Sequence, residues 1–195
     1  MSHIIKDGTG NGNTVKVGGQ NRLHTHGLNA SIEEVATMHG NSFDVFTDIT
    51  TLRSADASAL IYIKNNEEDD ICIRSVSLAL DASTGATNAA RIKICINPTG
   101  GTLLTDATDA NMINRRFGDS ETLDVTTYQG EEGKTHTGSD CVIETITAAG
   151  VFTTNYIIPK GASVSLSVEP GTGNTSQNVR VSLQIIKSYS RYTID

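Results

Sequence analysis

Two histidines two residues apart, His24 and His26, sit in an alternating stretch, so in a strand both imidazoles face the same way. That spacing suits two ligands of a transition metal, with a third supplied by another segment or subunit. His136, His39 and His3 qualify as the third by residue type alone. The plainer reading is a polar strand end at an interface. Because no ligand set is complete, no metal is expected. Upstream, Gly8-Thr-Gly-Asn-Gly12 has the look of a phosphate-cradling loop. A P-loop ends in Gly-Lys-Ser/Thr after a strand, and a dinucleotide fingerprint opens a helix. Here the run leads into Asn13 and Thr14 and a strand-like Thr14–Val17, so the glycines read as a flexible connector and no nucleotide cofactor is expected.

Oxygen-bearing side chains cluster at Asp106, Asp109 and Asn111, and carboxylates again at residues 67–70. Neither cluster follows the alternating calcium-loop pattern with its central Gly and terminal Glu, so both read as solvated turns. No Gly-x-Ser-x-Gly elbow is present, and no Cys-Gly context stands near a plausible His. Sugar-cleaving acid pairs usually work beside aromatic platforms, and this chain has five Tyr, four Phe and no Trp. The expectation is a protein that is not an enzyme. One dense basic–aromatic spot remains, Arg115-Arg116-Phe117. Arg and aromatic residues favour interfaces, and the alternative is an Arg pair covering an exposed loop.

Composition narrows the class further. The chain has 195 residues, 37% of them hydrophobic, with a formal charge of −7. That length allows one domain with a real core plus an arm or long loops. The negative charge argues against a nucleic-acid backbone binder, which needs a basic face. No apolar run is long enough for a membrane span, and residues 1–7 lack the pattern of a secretory signal. Cys72, Cys95 and Cys141 are odd in number and widely spaced. They read as unpaired thiols in a protein made in a reducing cytoplasm.

The elements that must position these residues are mostly strands. Segments 58–64 and 71–80, separated by an acidic turn, read as a hairpin. Residues 91–97 alternate, with Ile92, Ile94 and Ile96 on one face and Arg91, Lys93 and Cys95 on the other. Residues 162–168 alternate strictly, and 178–186 place Val179, Val181, Leu183 and Ile185 inward. Alternation of this kind means one buried and one wet face, the mark of antiparallel sheets. The predicted fold is all-β, an antiparallel β-sandwich of jelly-roll-like type, its core built on Ile92, Ile94, Ile96, Val164, Leu166, Val179, Val181 and Leu183. Only residues 29–39 look helical, with Ser31 positioned to cap, Glu33 and Glu34 in the first turn and Gly40 just beyond; an irregular connector is the alternative. Residues 105–141 are the least regular. They hold either one or two short strands, near 123–127, or a loop excursion. The domain reading is an extended N-terminal docking arm, 1–28, and a sandwich body, 29–195, with the long loop excursion near 105–141.

Three stretches carry a resemblance. "IKDGTGNGNTVKV" with "NRLHTH" resembles the N-terminal segment of many virion structural proteins of tailed bacteriophages. "SALIYIKNNEEDDICIRSVSL" is similar to their paired strands around Leu-Lys-Asn-Asn. "NRRFGDSETLDVTTYQGEEGKTHTG" is similar to their Asn-x-x-x-Gly-Ser segment followed by Tyr-x-Gly-x-Glu-Gly, with Asp119 here standing between Gly118 and Ser120. The resemblance implies a component of a virion assembled in the bacterial host cytoplasm, most simply a capsid decoration or cement protein. The alternative is a receptor- or glycan-binding module of a collar, neck or tail fibre. It implies other virion proteins as partners and a homotrimer as the assembly state. In that setting a glycine-hinged arm suits addition of strands to a neighbour's sheet. The expected interface residues are Lys6, Asp7, Val15, Val17, Arg22, Leu23, His24 and His26 in the arm, and Arg115, Arg116 and Phe117 in the body.

Overall fold

A computed structural model describes residues 31–81, 84–105, 108–138 and 150–187, and the backbone course alone for 141–146. The described body belongs to one compact unit, Ile32–Asp195. The expected docking arm, residues 1–28 with His24 and His26, lies outside the described residues.

The first element along the described chain is the helical stretch. Helix α1, Ile32–Met38, begins directly after Ser31 and carries Glu33 and Glu34 in its first turn, where negative charge suits the helix dipole. It stops where expected. Gly40 takes φ 74°, its N–H returns to the Thr37 carbonyl at 3.1 Å, and the Asn41 N–H reaches Ala36 at 2.8 Å. Those two bonds make a Schellman cap, which needs a left-handed residue at that place.

The chain then runs through β1 (Ser42–Phe46), β2 (Thr50–Leu52), β3 (Ser58–Asn65), β4 (Ile71–Leu80) and β5 (Ala90–Ile96). A short helix α2 (Thr102–Thr105) leads to β6 (Asn111–Asn114) and β7 (Val125–Gln129). The rest is β8 (Cys141–Ile146), β9 (Gly150–Ile158), β10 (Ser163–Glu169) and β11 (Gln177–Ile186). Two antiparallel sheets result, one ordered β6-β1-β11-β4-β9 with β2 also on β11, the other β7-β3-β10-β5-β8.

Four pairs nest inside one another: β1 with β11, β3 with β10, β4 with β9 and β5 with β8. A long two-ply hairpin gives this nesting when it rolls up, which is the jelly roll. The sandwich core holds Ile92, Ile94, Val164, Leu166, Val179, Val181 and Leu183, as the alternation predicts, together with Ile61, Ile63, Ile73, Val76 and Leu78. The stretch 105–141 contributes strands of its own: β6 and β7 extend one sheet each, and Leu123 joins the core. Among the described residues no helix is long and apolar enough to cross a membrane.

Three expectations need correction. The segments 58–65 and 71–80 are not a hairpin, because β3 and β4 belong to different sheets. The acidic turn between them carries the chain across the sandwich, and each strand then takes two neighbours of its own. Ile96 is 53% exposed, outside the core; it is the last residue of β5, opposite Val164 near the start of β10. The serines of β10, read as a wet face, are buried at Ser163, Ser165 and Ser167. A second apolar layer of Ala59, Tyr62, Leu103, Leu104 and Tyr128 covers that side of the sheet.

Candidate functional site

Two places bring chemistry-bearing side chains together, and the sequence pointed to one of them. Arg115, Arg116 and Phe117 form the turn leaving edge strand β6. The Arg115 N–H donates to the Ser42 carbonyl at 2.9 Å, and its guanidinium lies 3.8 Å from Asp44. The Arg116 N–H donates to Asn114 Oδ1 at 2.8 Å, while its guanidinium pairs with Asp119 at 3.2 Å. Gly118 takes φ 86° and closes the turn. Asn114 fastens the base through its amide, which donates to the Gly40 carbonyl at 2.8 Å.

Held in this frame, the Phe117 ring is 86% exposed. Ile113 and Met112 are also exposed along β6, at 45% and 41%. Beside them a hollow of about 340 Å³ is lined by Asp44, Phe46, Ser77, Ala79, Ile113, Arg180 and Ser182. The Arg180 guanidinium sits 4.6 Å from the centre of the Phe46 ring, a cation–π contact that keeps the floor of the hollow fixed. This face is apolar at its edge, with Arg115 and Arg116 beside it in ion pairs with Asp44 and Asp119.

The acidic turn 67–70 is tied into the fold by cations. Lys187 reaches Glu67 at 3.1 Å and Glu121 at 2.8 Å. Burial works against the Lys187 charge, but hydrogen bonds to Glu121 and Glu67 outweigh it and hold its pKa above the ordinary lysine value. Glu68 pairs with Lys160 at 2.6 Å. Among the described residues no group of three His, Cys, Asp or Glu side chains could hold a metal ion.

No family model matches the chain, and no curated relative matches it.

The second place was missed. Cys95 was expected as a free thiol; it is disulfide-bonded, and the residue opposite it in the β5–β8 ladder is Cys141. Cys72 is free and buried in the other sheet. Burial pushes its thiol pKa up, against the opposing pull of Arg74. His136, a metal-ligand candidate by type, instead places Nε2 2.8 Å from Cys95 Sγ and Nδ1 2.8 Å from Ser165 Oγ. Ser165 and Cys95 are direct cross-strand partners. The sequence signal was there in the alternation of β5 and β10, which puts Cys95 and the serines on one side of their strands. The register that joins them to residue 136 is nonlocal and invisible in any window.

Proposed function

We propose that the chain is a non-catalytic structural component of a tailed-phage particle, a capsid decoration or cement protein that docks on neighbouring subunits. The observation that carries this reading is Phe117, 86% exposed in a turn fixed by Arg116–Asp119 and by Asn114. A large ring held in water by a rigid turn gains free energy when a partner covers it, and aromatic residues flanked by Arg are the usual anchors of interfaces. Ile113 and Met112 extend the apolar area along β6, and Arg115 and Arg116 supply a charged rim. The resemblance to virion proteins supports the choice of a capsid partner. It also supports a homotrimer, a closed symmetric arrangement common among oligomers.

A receptor- or glycan-binding role is the second reading. A polar hollow of about 310 Å³ between Asp48, Gln129, Glu131 and Lys134 favours it, although its lining holds no aromatic ring on which a sugar could stack.

The test is binding of the purified full chain to particles assembled without it. The expected result is saturable binding at a fixed copy number, weakened at least about tenfold by Phe117→Ala, as truncating an interface anchor predicts. Circular dichroism of the variant should match the parent. Equal binding by the variant removes Phe117 from the interface, and no binding by the parent overturns the decoration role.

A further inference from the structure

One row of residues runs straight across the outer face of the five-stranded sheet. Tyr128, Tyr62, Ser165, Cys95 and Cys141 are successive Cα partners on β7, β3, β10, β5 and β8. Cys95 is fully buried and disulfide-bonded, Cys72 is free, and Cys141 is the remaining cysteine of the chain. We propose that Cys95 and Cys141 are a thiol–disulfide site with His136 as its built-in base, closed by exchange with a small-molecule disulfide such as oxidised glutathione.

The tautomer follows the state of Cys95. In the disulfide, Cys95 Sγ has no proton and only accepts, so Nε2 donates to it across 2.8 Å and Nδ1 accepts from the Ser165 hydroxyl at 2.8 Å. In the dithiol the Cys95 S–H donates to Nε2, Nδ1 carries the proton toward Ser165 Oγ, and the Ser165 hydroxyl donates to the Ile61 carbonyl, 3.1 Å away. The groups facing this imidazole are Cys95 and Lys93 of β5 and Ser165 of β10; Lys93 is itself paired with Glu169 at 2.8 Å. Burial first, and Lys93 second, lower the His136 pKa below 6.5. The ring is therefore neutral at pH 7 and free to take a proton.

Closure follows from which sulfur an oxidant reaches. Cys95 is sealed in, whereas β8 is the edge strand of the sheet. The Cys141 thiolate attacks oxidised glutathione, the glutathione S–S bond breaks, and a mixed disulfide forms as one glutathione thiolate departs. His136 Nε2 then takes the Cys95 proton as that sulfur attacks the Cys141 sulfur. The Cys141–glutathione bond breaks, the Cys95–Cys141 bond forms, and the second glutathione leaves and takes up the proton. Two protein thiols are oxidised and one glutathione disulfide becomes two thiols. Closure fastens an edge strand, which has one neighbour in the ladder, to the interior of its sheet. A chain leaving a reducing compartment for an oxidising one acquires the lock on the way.

The experiment uses the full chain, reduced, desalted and incubated in a glutathione redox buffer, with free thiols counted by alkylation and mass spectrometry. The expected result is a fall from three alkylated cysteines to one, Cys72, with Cys95 and Cys141 recovered in one linked peptide. Three persistent thiols, or a bond to Cys72, overturn the site. With oxidised glutathione in large excess, so that ring closure by Cys95 and not attack by Cys141 limits the rate, closure in His136→Gln should be at least about tenfold slower at pH 7. From pH 7 to 6 the parent rate should fall only slightly, while unassisted thiol exchange falls about tenfold per pH unit with its thiolate fraction. If His136→Gln does not fold, the parent profile decides: a tenfold fall per unit removes His136 as the base, and so does closure of a folded variant at the parent rate.

Discussion

Asn65 and Ile158 are joined across the two sheets: the Asn65 side-chain amide donates to the Ile158 carbonyl at 2.9 Å. The same amide donates to the Asp69 carbonyl at 3.0 Å, and Asn65 Oδ1 accepts the Glu67 N–H at 2.8 Å. Asn65 ends β3 in one sheet and Ile158 ends β9 in the other. One fully buried side chain therefore shapes the acidic turn and clasps the sandwich where the chain crosses it. Asn65→Ala leaves three polar backbone groups without their partner. It should lower stability by about 2–4 kcal/mol in urea unfolding. Asn65→Asp should cost at least as much, because an oxygen then faces two carbonyls. A loss within about 0.5 kcal/mol, the range of an ordinary surface substitution, would show that the clasp is not structural.

His136 gives the fold a pH dependence of determinable sign. Its folded pKa lies below the ordinary 6.5 because burial and Lys93 disfavour the charged ring. Above that value both folded and unfolded chains hold the ring neutral, and nothing changes. As pH falls below 6.5 the unfolded chain takes up the proton first, so stability declines until the folded pKa is passed. The melting temperature should drop between pH 7 and 5.5 more steeply in the parent than in His136→Gln. Parallel pH profiles for the two proteins would refute the assignment.

The central strands were legible because a chemical pattern marks them. Val179, Val181, Leu183 and Ile185 alternate with polar residues, and burial selects them without help from any distant segment. What failed was nonlocal. Ser163, Ser165 and Ser167 look solvent-facing in a window, and only the layer around Leu103 and Tyr62 reveals them as covered. The β3–β4 hairpin failed for a related reason, since a short polar turn serves equally to reverse a strand within one sheet or to carry it across to the other. Arg115-Arg116-Phe117 was legible as an unusual local composition. The contact of His136 with Cys95, 41 residues apart, depends on registers that no local spacing encodes.

Gly130 predicts a sharp contrast between two glycines. A Cβ there would stand 1.9 Å from the Ala59 carbonyl oxygen, and the Gly130 N–H already donates to the Leu60 carbonyl at 2.8 Å. The obstacle is backbone, which cannot rotate away. Gly130→Ala should cost roughly 3 kcal/mol or more, as overpacking against a fixed main chain does. Gly150→Ala meets nothing closer than Phe152 at 3.9 Å and should change stability by less than about 1 kcal/mol. Urea midpoints of the two variants check this, and equal midpoints would contradict the close approach.

The last prediction concerns residues 1–28. Their many Gly and Asn residues carry a large ordering entropy that their own side chains offset poorly. The alternation at Thr14–Val17 and at residues 21–26 supplies short strands that a neighbour's sheet could pair. The core of the sandwich draws on residues from Phe43 to Ile185, so deletion of 1–28 should leave its melting temperature within about 2 °C of the parent, the shift of a sub-kcal/mol change in a chain of this size. Particle binding should fall at least about tenfold, because the strand pairing contributed by the arm is lost. Phe117→Ala in the deleted chain should weaken binding further, since the proposed docking makes the arm and the β6 turn separate anchors. A deleted chain that decorates particles as fully as the parent would remove the arm from the docking surface and leave Phe117 as its centre.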